Sequence, residues 1–206
     1  MKVSRIETWI GITLSILLTG LGVALFIQAD LGSDTITVMV DGIHRSLNIS
    51  IGMASRIYNL TMLAIACVLS FRDIGWATVL YALTVGFAMD FFEGLIAPLR
   101  IMEMSLLIRL LVVFIGQLCF GLTYALLIKY RKGMNQLDAI SYAIVRWTKV
   151  DFKWIRTGMD IILLVVGWLL GGVVGVGSLI AMTTTGVLIE FFLKIINGGR
   201  IYEENT

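Results

Sequence analysis

One arrangement of segments occurs twice along this chain, and this duplication limits the folds that the chain can adopt. Gly20–Asp34 returns as Gly121–Asn135, with the helix-breaking Gly32 falling on Gly133. Each copy reads as an apolar helix, a glycine break with a short polar helix, and two further apolar helices. The chain is therefore predicted to be one structural unit present in two homologous halves.

The composition places these helices in a membrane. Hydrophobic residues make up 58% of the chain and charged residues 15%, far from the usage of soluble domains. Several apolar runs reach the length of about 20 residues that a bilayer-crossing helix needs. The predicted fold class is all-α, a polytopic helical membrane protein in contact with the lipid bilayer. The sequence has no basic patch with interleaved aromatic side chains, so nucleic acid is not a predicted partner.

Hydrophobic periodicity divides each half into three long helices and one short helix. The predicted crossings are Trp9–Gln28, Ile51–Phe71 and Ile74–Ala97, followed by Leu106–Tyr130, Trp154–Leu170 and Ser178–Ile196. The short helices are Thr35–Leu47 and Asn135–Trp147. Both look too short and too polar for a lipid-facing crossing, so we interpret them as re-entrant helices buried in the protein. The chain 1–206 then forms a single integral membrane domain with repeats 6–98 and 106–197.

The number of crossings decides how the two halves are related. Three crossings per half invert the second half, whereas four crossings, with the short helices spanning the bilayer, leave the halves parallel. With both termini in the cytoplasm, the basic residues left outside are Arg45, Arg56, Arg100 and Arg109 for three crossings, and Arg72, Lys129, Arg131 and Lys132 for four. The positive-inside rule favours cytoplasmic termini in either topology but does not choose between them. Only the shortness and polarity of the small helices favour the inverted repeat.

The two glycine breaks are the first candidate for a functional site. Paired interrupted helices in matching halves are typical of transporters with a substrate site near the bilayer midplane. A helix that begins inside a membrane leaves free N–H groups and a positive dipole end, which a capping side chain, water or a ligand must satisfy. The side chains placed to do so are Ser33, Asp34 and Thr35 in the first half, and Asn135 and Gln136 in the second. Plain capping by Asp34 and Asn135 is the simpler alternative.

Matched polar residues in the long helices are the second candidate. Asp90 and Glu190 occupy equivalent positions in the last helix of each half, and Asn59 falls on Asp160. Ionisable groups within a crossing usually face the protein interior or a water-filled cavity, so these residues are predicted to contact a cationic substrate or carry a proton. The alternative for each of these residues is a contact with a nearby group rather than with a substrate. Asp90 and Glu190 lie near helix ends, within reach of interfacial water or a lysine, and Asp160 lies one turn from Arg156, where an ion pair can form.

The sequence shows no arrangement of catalytic or metal-binding residues. His44 is the single histidine, and no nucleophile stands with a base in a recognisable pattern. We therefore expect no enzyme activity, no cofactor and no metal site. Gly167, Gly171 and Gly175 follow a four-residue spacing that indicates close helix contact, either within the monomer or at the seam of a homodimer.

A resemblance to a known group rests on Gly20–Asp34, which reads Gly-Leu-Gly-Val-Ala-Leu-Phe-Ile-Gln-Ala-Asp-Leu-Gly-Ser-Asp, and on Val40–Ile43. These stretches resemble the YczE/YyaS/YitT group of bacterial integral membrane proteins, closest to its YczE-like branch. Thr35 stands where a proline often follows the aspartate in that group, and Met134–Asn135 replaces its small-residue and proline pattern in the second half. The resemblance implies a multi-pass protein of the bacterial cytoplasmic membrane with a transport role.

Two functional hypotheses follow. The first is a small-solute transporter that holds a small polar or charged solute between its halves near the helix breaks, with Asp90 and Glu190 as gating or coupling carboxylates. The second is an accessory or scaffold protein of a partner complex that transports nothing. The first predicts a polar cavity between Gly32 and Gly133, whereas the second predicts closed packing there.

Overall fold

Helices are the only regular secondary structure where the chain is described. The computed structural model describes residues 5–130 and 135–196, and within these ranges it contains eight α-helices and no strand. The first half forms α1 (Arg5–Ala29), α2 (Thr35–Leu47), α3 (Ile51–Ser70) and α4 (Trp76–Ile96), and the second forms α5 (Leu106–Tyr130), α6 (Gln136–Thr148), α7 (Phe152–Leu169) and α8 (Val176–Ile196). The predicted all-α class is confirmed.

The helix boundaries follow the sequence pattern closely. Helices α2 and α5 begin and end at the predicted residues. Helix α6 begins one residue late because Asn135 is its N-cap, with an extended backbone and a side chain that accepts a hydrogen bond from the Leu137 N–H. The second break at Gly133 and the basic residues Arg131 and Lys132 lie outside the described residues.

Length and composition identify this chain as a multi-pass membrane protein. Five helices of the described residues are long and apolar enough to cross a membrane, and they lie within Arg5–Ala29, Ile51–Asp73, Trp76–Glu103, Leu106–Tyr130 and Val176–Ile196. Helix α7 is not among them, because its 18 residues include the charged Lys153, Arg156 and Asp160. Helices α2 and α6 have 13 residues each, about 20 Å at 1.5 Å per residue, which is less than the ~30 Å of a hydrocarbon core.

Helices α1 and α5 form the closest helix pair and run in opposite directions. Their contacts pair Ser15 with Thr123, Gly22 with Gly116, and Ala29 with Arg109. The glycines allow close approach, since a Cβ at Gly22 would lie 3.2 Å from the Gly116 carbonyl oxygen. Arg109 donates to the carbonyls of Ala29 (2.8 Å) and Asp30 (3.0 Å), so the start of α5 satisfies the free carbonyl end of α1.

The main remaining contacts are of two kinds, within a half for the long helices and between halves for the short ones. Helix α4 packs along α1 as α8 packs along α5, and each short helix packs against the third helix of the opposite half, α2 on α7 and α6 on α3. The two halves differ at their last helices. Helix α4 also packs along α3, whereas α8 buries only Gly177, Ser178 and Ala181. Both short helices are thereby held between the halves.

The glycines of α7 and the turn after it serve packing within the monomer. A Cβ at Gly167 would lie 2.7 Å from the Met39 Cα in α2, and a Cβ at Gly175 would lie 2.6 Å from the Leu31 carbonyl oxygen. Gly167 and Gly175 therefore make close helix contacts within the monomer, as the first interpretation of their spacing predicts. These glycines give no support to a homodimer seam.

Candidate functional site

A cavity with both polar and apolar lining lies among α1 to α6, beside the N-terminal ends of both short helices. Its volume is about 40 Å³, which is room for about three water molecules. The polar lining residues are Thr19, Asp34, Thr37, Ser55, Tyr58, Asn59, Tyr81, Thr123, Tyr124, Asn135 and Gln136. Within the described ranges no lysine, arginine or histidine lines the cavity, and Asp34 is the one acidic side chain among the lining residues.

The first glycine break directs α2 into the protein. Gly32 has a φ of +88°, in the left-handed region, and a Cβ there would lie 2.5 Å from the Gly175 nitrogen, so glycine is required on both grounds. Beyond it, Asp34 is extended and α2 begins. The last turn of α2 comes back to the end of α1, where Arg45 pairs with Asp30 at 2.8 Å. The start of α2 is therefore the end that reaches the cavity.

Asp34 is the N-cap residue of α2 but does not cap the helix in the usual way. Its side chain makes no capping hydrogen bond, although it lies beside the N–H groups of Ile36 and Thr37. Its Oδ1 atom is buried and has no hydrogen-bond partner among the described residues. A buried acceptor left unpaired costs about 1–3 kcal/mol. A capping hydrogen bond is therefore present at Asn135 in the second half, whereas Asp34 Oδ1 has no partner at the start of α2.

Equivalent hydrogen bonds join the start of each short helix to the opposite half. Thr35 Oγ1 donates to Asp160 Oδ1 at 2.9 Å, and Gln136 Nε2 donates to Asn59 Oδ1 at 3.4 Å. In the duplication that places Gly32 on Gly133, Thr35 falls on Gln136 and Asn59 falls on Asp160. Asn59 of α3 therefore binds the first residue of α6, and its counterpart Asp160 of α7 binds the first residue of α2.

An arginine held between two carboxylates supports this side of the cavity. Arg156 pairs with Asp160 at 3.0 Å and also with Asp138 in α6. The predicted local ion pair of Asp160 with Arg156 is therefore present, together with the bond to Thr35. Sequence reasoning missed the role of Asp138, because no spacing rule connects residues on α6 and α7. The two carboxylates neutralise Arg156, which brings no net positive charge toward the cavity.

Asp90 and Glu190 do not reach the cavity, although the sequence predicts them at the substrate site. Asp90 accepts from the Gly52 N–H at 2.7 Å and pairs with Arg56 at 3.3 Å, so it closes the contact between α4 and the start of α3. The Glu190 side chain is 69% exposed and pairs with Lys194 one turn away. The local alternative, a nearby lysine, therefore describes Glu190, whereas Asp90 binds an arginine and a backbone N–H of α3.

The structure brings together half of the predicted site residues in one place. Asp34, Asn135, Gln136 and Asn59 line the same cavity, and Asp160 is joined to it through Thr35. Ser33 is buried at the break, but it lines a smaller pocket beside Gly32 rather than this cavity.

Sequence reasoning did not assign the hydroxyl groups of the cavity wall. Tyr58, Tyr81 and Tyr124 come from α3, α4 and α5, and the Tyr81 hydroxyl donates to Thr19 at 3.2 Å. The one signal for them lies in α1, where Ser15 and Thr19 occur four residues apart on a buried face. A polar stripe on a membrane helix indicates a face turned away from lipid.

Comparison with known proteins relates the whole membrane unit to a family. A profile described as a family of unknown function, DUF6198, matches residues 6–194. A Haemophilus influenzae protein carrying the name "Uncharacterized protein" is 29% identical over 189 residues, which covers 89% of this chain and 84% of the relative. No solved structure matches the chain at a significant level.

Two Bacillus subtilis proteins are also similar to this chain. "Uncharacterized protein YyaS" is 22% identical over 183 residues, covering 89% of this chain and 90% of the relative. "Uncharacterized membrane protein YczE" is 25% identical over 109 residues, covering 53% and 49%. These matches confirm the resemblance seen in the sequence, and the chain belongs to the DUF6198 family of YczE- and YyaS-like proteins.

Proposed function

We propose that this protein is a small-solute transporter of the inverted-repeat type, with its binding site in the cavity between the starts of α2 and α6. The observation that carries the proposal is Asp34, a carboxylate that lines a cavity built from both halves and has a buried, unpaired oxygen. Unpaired polar groups at broken helices inside a membrane protein are expected where a polar solute or ion binds. The proposal includes no enzyme activity.

Helix directions support the inverted repeat. Helices α1 and α5 are antiparallel, whereas eight full crossings would make them parallel. Helices α1 and α4 run in the same direction, since their contacts pair Trp9 with Trp76, Thr19 with Tyr81 and Gln28 with Glu93. Three crossings per half give this direction, and four would reverse it.

The ends of the short helices support the same arrangement. In the middle of α2, Asp41 accepts from the Val173 N–H at 2.9 Å in the turn between α7 and α8, and in the last turn Arg45 Cβ lies 3.8 Å from a Cβ built at Gly171 of the same turn. In the last turn of α6, Arg146 pairs with Asp73 at 2.8 Å in the turn between α3 and α4. Each short helix therefore ends beside a turn of the opposite half, as two oppositely oriented re-entrant helices would.

The small cavity corresponds to a closed state of such a carrier. A volume of about 40 Å³ is far below the ~300–1,000 Å³ of pockets that hold drug-sized molecules. Ion pairs hold the far ends of the short helices. Arg45 pairs with Asp30 and Asp41 at the end of α2, and Arg146 pairs with Asp73 at the end of α6. Movement of one half against the other would open these contacts in turn. The cytoplasmic membrane and cytoplasmic termini remain part of this proposal.

The accessory-protein alternative differs in a testable way, because it predicts that no reagent reaches the space between the short helices. In a background with Cys67→Ala and Cys119→Ala, we expect Ser55→Cys, which lines the cavity, to react with a small charged thiol reagent added to spheroplasts or to inside-out vesicles. Ser15→Cys is the matched control, since both serines are fully buried and only Ser55 lines the cavity.

The transporter proposal predicts labelling of Ser55→Cys at least tenfold faster than labelling of Ser15→Cys from one side or both. Equal, negligible labelling of the two variants from both sides would contradict it and favour the accessory role. Mass spectrometry of the intact protein measures the modified fraction directly.

A further inference from the structure

We propose that the cavity binds a monovalent cation at Asp34, either an inorganic ion or the ammonium group of a solute. This inference rests on the proposed transport function and names the chemical class that the site selects. It begins from how the aspartates of this protein are paired. Every other aspartate of the described residues that is not exposed has an arginine partner: Asp30 and Asp41 have Arg45, Asp73 has Arg146, Asp90 has Arg56, and Asp138 and Asp160 have Arg156.

Asp34 is thus the exception in a consistent pattern. A carboxylate taken out of water is strongly destabilised unless a positive charge or several hydrogen bonds compensate it. The start of α2 provides about half a positive charge, which offsets Asp34 only in part. A bound cation would supply in the cavity what arginine supplies at each of the other sites.

The other lining groups suit a cation of single charge. Tyr58, Tyr124 and Thr37 bring neutral hydroxyl oxygens to the lining, and the amide oxygens of Asn59 and Asn135, which accept from Gln136 and Leu137, each keep a second lone pair. Divalent ions held by protein usually recruit further carboxylates or retain a full water shell. In the part of the chain that the structure describes, no three His, Cys, Asp or Glu side chains come together as metal ligands. One carboxylate with neutral oxygens balances one positive charge.

The cavity is also of the right size for this class. Its volume of about 40 Å³ holds a small ion with one or two of its water molecules, or a small ammonium group. A large solute would need the halves to move apart first. The cation would then either be the transported species or bind with a larger solute when the carrier opens.

The test measures the thermal stability of the purified full-length protein in detergent at constant ionic strength. Chloride salts of Li⁺, Na⁺, K⁺ and methylammonium are each titrated against N-methyl-D-glucamine chloride, whose cation is too large for the closed cavity. We expect at least one of the small cations to raise the Tm in a saturable manner, since a ligand that binds only the folded state stabilises it. A response to the alkali ions indicates an inorganic ion, whereas a response to methylammonium alone indicates an amine-bearing solute.

Variants of Asp34 and Asp90 show whether the cation that raises the Tm binds at Asp34. Asp34→Asn is expected to weaken the cation response at least tenfold, whereas Asp90→Asn, which alters a carboxylate outside the cavity, keeps it. If Asp34→Asn does not fold, Asp34→Glu replaces it and is expected to shift the half-saturating concentration at least threefold. No saturable response in the wild-type protein, an unchanged response in the Asp34 variants, or an equal loss in Asp90→Asn would overturn the inference. If Ser55→Cys is labelled while no cation stabilises the protein, the transport proposal stands and the cation assignment falls.

Discussion

Gly86→Ala is expected to destabilise the protein by about 3 kcal/mol, near the upper end of the cost of overpacking a tight contact. A Cβ at Gly86 would overlap the Gly52 carbonyl oxygen and lie 2.7 Å from Arg56 Cγ. The obstruction is backbone of the neighbouring helix, so no rotamer change can relieve it. The contact between α3 and α4 would have to separate, and the pairing of Asp90 with Arg56 would be strained with it.

The matched control lies at the equivalent position of the other half. Gly186→Ala introduces the same methyl group into α8, where nothing lies within 4 Å of the new Cβ, and the higher helix propensity of alanine adds up to about 1 kcal/mol of stability. Thermal unfolding of both variants in the same detergent measures the difference. If the two substitutions had equal effects, the close packing of α3 on α4 and the exposed face of α8 would both be incorrect.

Arg156→Gln is expected to destabilise the protein by about 2 kcal/mol, because removing one member of a partly buried ionic cluster leaves its partners uncompensated, while solvent screening keeps the loss below that of a fully buried pair. Asp138 and Asp160 would then face each other without the guanidinium that holds them together. Asp160 also accepts from Thr35, so the start of α2 should loosen as well. The loss appears as a lower Tm.

A rescue experiment separates charge from packing. Adding Asp138→Asn and Asp160→Asn to Arg156→Gln removes both stranded charges, and we expect the triple variant to regain more than half of the lost stability. A triple variant as unstable as Arg156→Gln alone would show that the guanidinium acts through packing. The Arg100–Glu103 pair provides the surface comparison, since both of its side chains are largely exposed, and Arg100→Gln should cost less than about 1 kcal/mol.

The sequence predicted the helices and the first break well because local chemistry determines them. The apolar run of α5 and the polar, glycine-flanked α2 carry their boundaries in composition and spacing, which do not depend on the rest of the fold. Gly32 also signals its own position, because the left-handed turn that it makes is disfavoured for residues with a Cβ.

Residues on the long helices were harder to assign, because a position in a repeat does not tell which way a side chain points. Asp90 and Glu190 occupy equivalent positions, yet α4 packs on both α1 and α3 while α8 packs chiefly on α5. Asp90 is therefore held by Gly52 and Arg56, while Glu190 lies at an exposed surface. Symmetry in the sequence does not predict the surroundings of a side chain where the two halves pack differently.

The tyrosines and Asp138 show a second limit. Tyr58, Tyr81 and Tyr124 meet only because three helices from two halves converge, and Asp138 meets Arg156 across α6 and α7. Such contacts join residues far apart in the chain, and hydrophobic periodicity does not report them. Asp34 was found from the sequence because its position at a helix start inside a membrane is itself a local feature.

The relative orientation of the two halves is tested most directly by locating the linker between α4 and α5. In the background without Cys67 and Cys119, single cysteines replace Met104 in this linker and Arg72 in the turn between α3 and α4, and a tag marks the N-terminus. The inverted repeat predicts that a membrane-impermeant maleimide labels Met104→Cys only from the side opposite the N-terminal tag, and Arg72→Cys only from the same side as the tag. Labelling of Met104→Cys from the side of the tag and of Arg72→Cys from the opposite side is the result for eight full crossings, and it would contradict the account.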